Sequence, residues 1–184
     1  MKEIGIMKEF DSKRLHFRRI QPEDSKRIFE CWASDDEVTR YVTWPTHQNA
    51  ETTAYVVDMW IKEYDDPACY RYGIELKETG KLIGMIDVVG YIDGNPEIGY
   101  VLGRAYWSRG YMTEALQALT QYLFSEGFDT AVIEADERNI GSNSVIRKND
   151  FVFTHKETRP CSSFKPELVT VNWYKKNRPK KTNE

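Results

Sequence analysis

Apolar and polar residues alternate over 15–20, the period of a half-buried strand. Pro22-Glu23-Asp24 then has the composition of a helix start, and Ile28, Phe29 and Trp32 follow at helical spacing, predicting a first helix that ends near Ser34. A second helix is predicted from about residue 50 to 64, where Ala54, Val57, Trp60 and Ile61 make one apolar face. The segment between the two helices, 41–47, reads as an aromatic loop. Strand-like runs at 70–76, 82–89 and 97–102 are separated by turn clusters at 77–80 and 93–96, the pattern of a three-stranded antiparallel meander. Met112, Ala115, Leu116, Leu119 and Leu123 next recur at helical spacing, so a helix is expected over roughly 109–126, stopped by Gly127. The apolar run 130–135 is long enough for a buried strand. Because a helix precedes it, it is expected to lie parallel to the strand at Glu97 through a right-handed crossover. A short helix over 142–149, a strand from about Phe151 and a last alternating strand over 167–174 complete an α/β chain with a mixed, mostly antiparallel sheet of about seven strands.

With 184 residues, 40% of them hydrophobic and 30% charged, the chain suits one domain with a sizeable core. We expect that domain over 1–177 and a flexible basic tail over 178–184, the cluster 175–181 reading as a solvated terminus. The formal net charge of −3 argues against a general nucleic-acid binder. Cys31, Cys69 and Cys161 are odd in number and never form a CxxC pair, so neither a disulfide framework nor a metal site is suggested, and a reducing cytoplasm is expected. Charges interrupt every apolar stretch before it could span a bilayer, and no membrane or export role is expected.

The segment 97–115 carries the first candidate chemistry: strand, Gly/Arg turn and amphipathic helix in succession. A helix start leaves several backbone N–H groups unpartnered and carries the positive end of the macrodipole, so a diphosphate can dock there. Gly110 permits close approach to the backbone. No GxxxxGK[ST] or GxGxxG sequence occurs, which sets aside the common nucleotide folds.

Trp107-Ser108-Arg109-Gly110-Tyr111-Met112 resembles the acetyl-CoA loop of the GNAT superfamily of N-acetyltransferases: Gln or Arg, two residues, Gly, one residue, then Gly or Ala. Trp107 and Met112 depart from the end residues. Residues 106–115 are nonetheless similar to the Tyr-Trp-Gly-Lys-Gly-Tyr-Ala-Thr-Glu-Ala version of the ribosomal-protein N-terminal acetyltransferase branch. A second segment, 139–151, resembles that branch's Asn-x-x-Ser-x-x-Val-x-x-Lys-x-Gly-Phe, with Asp150 in place of Gly. The resemblance covers nearly the whole chain. It implies a GNAT-like sheet splayed between its fourth and fifth strands and acetyl-CoA as co-substrate. It places the diphosphate on residues 107–113, including Thr113, and the pantetheine arm against Asn139 and Ser142. Val101, Leu102 and Gly103 are then expected at the reacting end.

Transfer to an amine needs an acceptor for the shed proton and donors for the oxyanion. Strand alternation puts Glu97, Gly99 and Val101 on one face, with Ile98, Tyr100 and Leu102 packed behind. Glu97 is therefore the candidate base, the alternative being a structural carboxylate. Many superfamily members place a Tyr acid where this chain has Ile146, which leaves Ser142, a water or the departing thiolate itself to complete the reaction. Tyr41, Trp44 and His47 are candidates for the amine-binding wall, with Tyr41 and Trp44 equally readable as core. The resulting expectation is direct attack in a ternary complex on a small-molecule or peptide amine. The competing one is a non-catalytic acyl-CoA-binding regulatory module. The terminal strand and aromatic content would permit a homodimer.

Overall fold

The structure is a computed structural model and describes residues 7–180. Among the described residues, a single sheet of eight strands organises the chain. These are β1 (Phe10–Asp11), β2 (Leu15–Arg18), β3 (Arg71–Leu76), β4 (Lys81–Ile92), β5 (Asn95–Leu102), β6 (Thr130–Asp136), β7 (Val152–Pro160) and β8 (Leu168–Asn177), in the spatial order β1-β2-β3-β4-β5-β6-β8-β7. All pairings are antiparallel except β5 with β6. The helices are α1 (Asp24–Ile28), which continues as a π-helical turn through Ala33, α2 (Asp36–Thr39), α3 (Ala50–Glu63), α4 (Tyr111–Ser125) and α5 (Ile140–Lys148).

The sheet is covered on both faces, which is why the middle of β4 reads as a run of buried residues rather than an alternation. On one face Met112, Ala115, Leu116, Leu119 and Leu123 of α4 and Ile146 of α5 pack on Leu15, Phe17, Ile74, Ile86, Ile98, Leu102, Ala131 and Ile133. On the other, Ile28, Trp32, Val38 and Val57 pack on Leu82, Met85 and Val101. Asn49 starts α3 by accepting from the Thr52 N–H at 2.9 Å, and Asn139 starts α5 by accepting from the Ser142 N–H at 3.1 Å.

The structure adds two short elements and corrects two expectations. The eight strands among the described residues agree with the expected sheet of about seven, the added one being β1, whose two residues are too short to leave an alternation pattern. The first long strand stops at Arg18, since the Ile20 N–H is diverted to the Tyr64 hydroxyl at 2.8 Å. The one-turn helix α2, capped by Asp35, is too short to show an apolar period in the sequence. Finally, Lys175, Lys176 and Asn177 are not a frayed terminus but pair with Val132, Ala131 and Thr130. Arg178 is also held, its N–H on the Asp129 carbonyl at 2.8 Å and its guanidinium on the Asp129 carboxylate at 2.5 Å. The rest of the expected tail, 181–184, lies outside the described residues.

The feature that matters most for function is the joint between β5 and β6. Their register consists of one pair, Glu97 with Val132. Beyond it the two strands part, which is the splay the sequence resemblance implied. The gap opens between α4 and α5 on one face and Glu97 on the other.

Candidate functional site

On the α4 side the chain leaves β5 through a 3₁₀ turn at Arg104–Tyr106 and reaches two left-handed residues, Ser108 at φ 59° and Gly110 at φ 76°. Gly110 is the residue before α4 and no side chain caps the helix, so its first amides face outward at the positive end of the dipole. Trp107, Ser108, Arg109 and Gly110 are exposed, and Tyr111 and Thr113 are half-buried. The Met112 side chain is buried against the sheet, leaving only its backbone on the loop side. The turn is held from outside by Arg14, which donates to the Arg109 carbonyl at 3.0 Å and to the Glu114 carboxylate at 2.7 Å, its guanidinium 4.4 Å above the Tyr111 ring. Glu114 also accepts from the Ser12 hydroxyl and the Arg14 N–H, each at 2.7 Å. Burial would raise its carboxyl, but these hydrogen bonds outweigh burial and hold it below the ordinary carboxylate range.

The β5 edge refines which backbone groups reach the gap. The Gly103 N–H is bonded to the Ile83 carbonyl at 2.9 Å and is not free. Ladder alternation from that bond gives Val101 its partners on β4 and turns the N–H and C=O of Tyr100 and Leu102 toward β6, which has already diverged. The Leu102 carbonyl is taken by the Trp107 indole N–H at 2.8 Å. Of the expected trio Val101, Leu102 and Gly103, then, only Leu102 turns backbone groups into the opening, and Tyr100 joins it.

Across the gap, Asn139 and Ser142 sit in the first turn of α5. The Asn139 side chain is committed to the Ser142 N–H, while the Ser142 hydroxyl lies 2.8 Å from the Tyr100 hydroxyl. Two buried asparagines fix this helix. Asn143 donates to the Asp136 and Asn139 carbonyls at 2.8 Å and accepts from Asn172 at 2.9 Å and Tyr174 at 2.7 Å. Asn149 donates to the Thr113 carbonyl at 3.1 Å, tying the end of α5 to the start of α4. Ile146 is fully buried in the core.

The opposite face of the gap is acidic and contains a group missed in the sequence. Glu97 and Glu134 project from neighbouring parallel strands on the same face, Glu134 two residues beyond Val132, the register partner of Glu97. Glu134 pairs with Arg159 through one oxygen, and its other oxygen is buried without a hydrogen-bond partner. Burial raises the Glu97 carboxyl above its ordinary value, the Glu134 charge adds to the rise and the Arg159 guanidinium opposes it. A β-bulge in β4 opposite this point leaves Gly90 beside the Glu97 carboxylate. The signal for Glu134 was a single carboxylate inside the otherwise apolar run 130–135.

The loop 41–47 closes this side. The Arg138 guanidinium lies 5.8 Å above the Tyr41 ring, which puts Tyr41 at the β6–α5 turn. Trp44 packs against the core under α1 and α3, and His47 bonds the buried Thr53 hydroxyl at 2.7 Å, its imidazole pushed toward the neutral form by burial. These two brace the loop. The turn between β7 and β8 clasps it: Lys165 donates to the Thr39 carbonyl at 2.7 Å and the Val42 carbonyl at 3.1 Å, and Ser162 to the Thr43 carbonyl at 2.5 Å. Among the described residues no group of three or more His, Cys, Asp or Glu is placed to hold a metal ion, and no helix is long and apolar enough to cross a membrane.

Residues 14–152 match the family described as acetyltransferase (GNAT) domain. The chain is 31% identical over 146 residues to the uncharacterized N-acetyltransferase YoaA of Bacillus subtilis (strain 168), covering 77% of this chain and 81% of YoaA. Among solved structures it superposes on a GNAT-family acetyltransferase from Bacillus anthracis with a TM-score of 0.79 at 22% identity, covering 92% of this chain and 98% of the other. The ribosomal L7/L12 alpha-N-protein acetyltransferase RimL in complex with coenzyme A also superposes, with a TM-score of 0.79 at 20% identity and coverage of 92% and 98%. With the splayed β5–β6 joint, the uncapped turn before α4 and the family match over most of its length, the chain belongs to the GNAT acetyltransferases and is an N-acetyltransferase.

Proposed function

We propose that this protein transfers an acetyl group from acetyl-CoA to a primary amine, a protein N-terminus or a small-molecule amine, by direct attack in a ternary complex. The observation that carries this reading is the β5–β6 gap, open to an uncapped helix start on one face and to a carboxylate of raised pKa on the other.

The donor fits the residues present. Backbone groups of residues 107–113 receive the diphosphate, helped by a Gly110 whose φ of 76° suits a residue without a Cβ. Asn139 and Ser142 border the pantetheine arm from α5, and Tyr100 and Leu102 border it from β5. The bound thioester supplies an activated acetyl carbonyl, and the backbone N–H groups that β5 turns into the gap donate to the oxygen that becomes negative. Glu97 receives the proton that the attacking nitrogen sheds, its raised pKa bringing it closer to that of its task. Glu134 adds negative charge that favours a cationic amine before it loses its proton. Tyr41 contacts the acceptor, while Trp44 and His47 keep the loop in place. The structural neighbour that modifies a ribosomal protein supports a peptide N-terminus as one acceptor class. Three free cysteines suit a reducing cytoplasm.

The test combines equilibrium binding of CoA with CoA release from acetyl-CoA in the presence of peptides beginning with Ser, Ala or Thr, and of spermidine, lysine and tyramine. Binding, with release driven by at least one amine and no burst with acetyl-CoA alone, is the expected outcome. Binding without release by any amine, and without acetylated products by mass spectrometry in a cell extract, would leave the acyl-CoA-binding module. Failure to bind CoA would overturn both readings.

A further inference from the structure

The Tyr100 side chain leaves β5 on the α5 side of the gap, half-buried, and its hydroxyl reaches one residue: the Ser142 hydroxyl at 2.8 Å and, more weakly, the Ser142 carbonyl at 3.4 Å. Both ends of this contact are fixed. Tyr100 is seated in the α4-face core, and Ser142 is held by Asn139 and by an α5 that Asn143 bolts to β6 and β8. Of the two hydroxyls the phenol is the more acidic and the better donor, and the Ser142 carbonyl at 3.4 Å is a poor alternative acceptor. With Tyr100 donating to Ser142 Oγ, the Ser142 proton cannot point back and is left for the gap.

We propose that Tyr100 is a positioning residue for the leaving-group side of the reaction: it holds the Ser142 hydroxyl as a donor aimed into the β5–β6 gap, toward the departing sulfur. The proposal rests on the reading of that gap as the thioester site. As the C–N bond forms and the C–S bond breaks, the electron pair of the latter stays on sulfur. The proton shed by the nitrogen goes to Glu97, and the Ser142 proton stays on Ser142 as a hydrogen bond to the thiolate. Tyr100 remains neutral throughout, since burial pushes its hydroxyl well above the ordinary phenol range. A structural partnership thereby fills the place left by Ile146.

The thiol of bound CoA reports this directly, without turnover. Thiolate absorbance of the CoA complex, followed against pH, should show a bound thiol more acidic than free CoA in the wild type. Tyr100→Phe should move it back by on the order of one unit, the value of a hydrogen bond to a charged group. Ser142→Ala should do the same, and the double variant should add nothing further. 3-Fluorotyrosine at position 100, a stronger donor of the same shape, should move the thiol the other way and keeps the test open should Tyr100→Phe fold poorly. Turnover in Tyr100→Phe should fall about tenfold with KM for acetyl-CoA within about twofold. A bound thiol that titrates alike in wild type, Tyr100→Phe and the fluorotyrosine protein overturns this inference alone, as do additive effects of the two substitutions. Failure of the wild type to bind CoA overturns the reading of the gap and this inference with it.

Discussion

The two faces of the β5–β6 gap are built from different materials. On the α4 and α5 side, the groups that face the gap are mostly backbone: the amides before α4, the N–H and C=O of Tyr100, the Leu102 N–H, and the first turn of α5. Side chains there hold backbone in place, Arg14 and Glu114 from outside the turn and Asn143 and Asn149 from beneath α5. On the other face the chemistry rests on side chains, Glu97 and Glu134 with Arg159, and the wall is a loop clasped by a distant turn. A backbone site tolerates substitution as long as the fold survives. A side-chain site is lost or retuned by one change, and this is the face to which we assign acceptor selection.

The largest effect should come from Glu97→Gln. Loss of a positioned base lowers turnover by about a hundredfold or more, and the acid limb of the kcat/KM profile, which lies above the ordinary carboxylate range, should vanish with it. Stability should move in the opposite direction. A carboxyl whose folded pKa is raised stabilises the fold below its unfolded pKa, and that contribution is lost as pH rises through the folded value. Near neutrality Glu97→Gln should therefore melt no lower than the wild type. Unchanged turnover across pH would mean the proton goes elsewhere and that this face is a structural carboxylate pair.

On the backbone side the corresponding change is Glu114→Gln. Three hydrogen bonds to a carboxylate of 16% exposure are weakened, at a cost of roughly 1–3 kcal/mol. The sign with pH is again determined. The Glu114 carboxyl is held below its unfolded value, so its contribution is present above the unfolded pKa and lost as pH falls through the folded one. The wild-type advantage in melting temperature over Glu114→Gln should shrink toward acid, while turnover of folded protein stays within a few-fold. A hundredfold loss of turnover at full stability would contradict the division between the two faces.

The same division explains what could be read from the chain alone. Helices α3 and α4, the meander and the parallel β5–β6 pair follow from apolar periodicity and turn residues, since each is a local pattern. The turn before α4 and the start of α5 are contiguous segments with backbone tasks, so they leave a recognisable string of residues. Within them the assignment of individual groups needed the ladder: only the bond from Gly103 to Ile83 reveals that Tyr100, and not Gly103, turns its amide toward the gap. The face we assign to the acceptor joins residues 41, 97, 134, 159 and 165, which no local pattern connects. Tyr41, Trp44 and His47 are adjacent in sequence and alike in character. The structure separates them into one residue at the gap side and two that brace the loop.

Two smaller changes probe each face more finely. Glu134→Gln removes the like charge beside Glu97 and frees Arg159 to interact with it. The acid limb should then shift to lower pH, burial alone still holding it above the ordinary carboxylate range. A limb that stays in place would uncouple Glu134 from the proton acceptor. Gly110→Ala puts a Cβ on a residue at φ 76°, which costs an L residue about 1–2 kcal/mol, and places it 3.4 Å from Arg14. CoA affinity should fall about tenfold if the loop relaxes from its left-handed turn, with the acid limb of the pH profile unmoved.

The smallest expected effect tests how far the backbone site tolerates departure from its family's pattern. Asp150 ends α5 at φ 60°, where the resembling segment has Gly, and its side chain is 91% exposed. It pairs with Lys176, at 4.0 Å. An exposed pair at that distance contributes little, so relief of the left-handed strain should dominate Asp150→Gly, partly offset by the greater freedom of Gly in the unfolded chain. The balance is a gain on the order of 0.5 kcal/mol, seen as a slightly higher melting temperature with CoA affinity unchanged. A loss of CoA affinity would instead mean that the end of α5, through Asn149 and its hold on Thr113, transmits conformation to the start of α4, so that the two halves of the donor face form one mechanical unit.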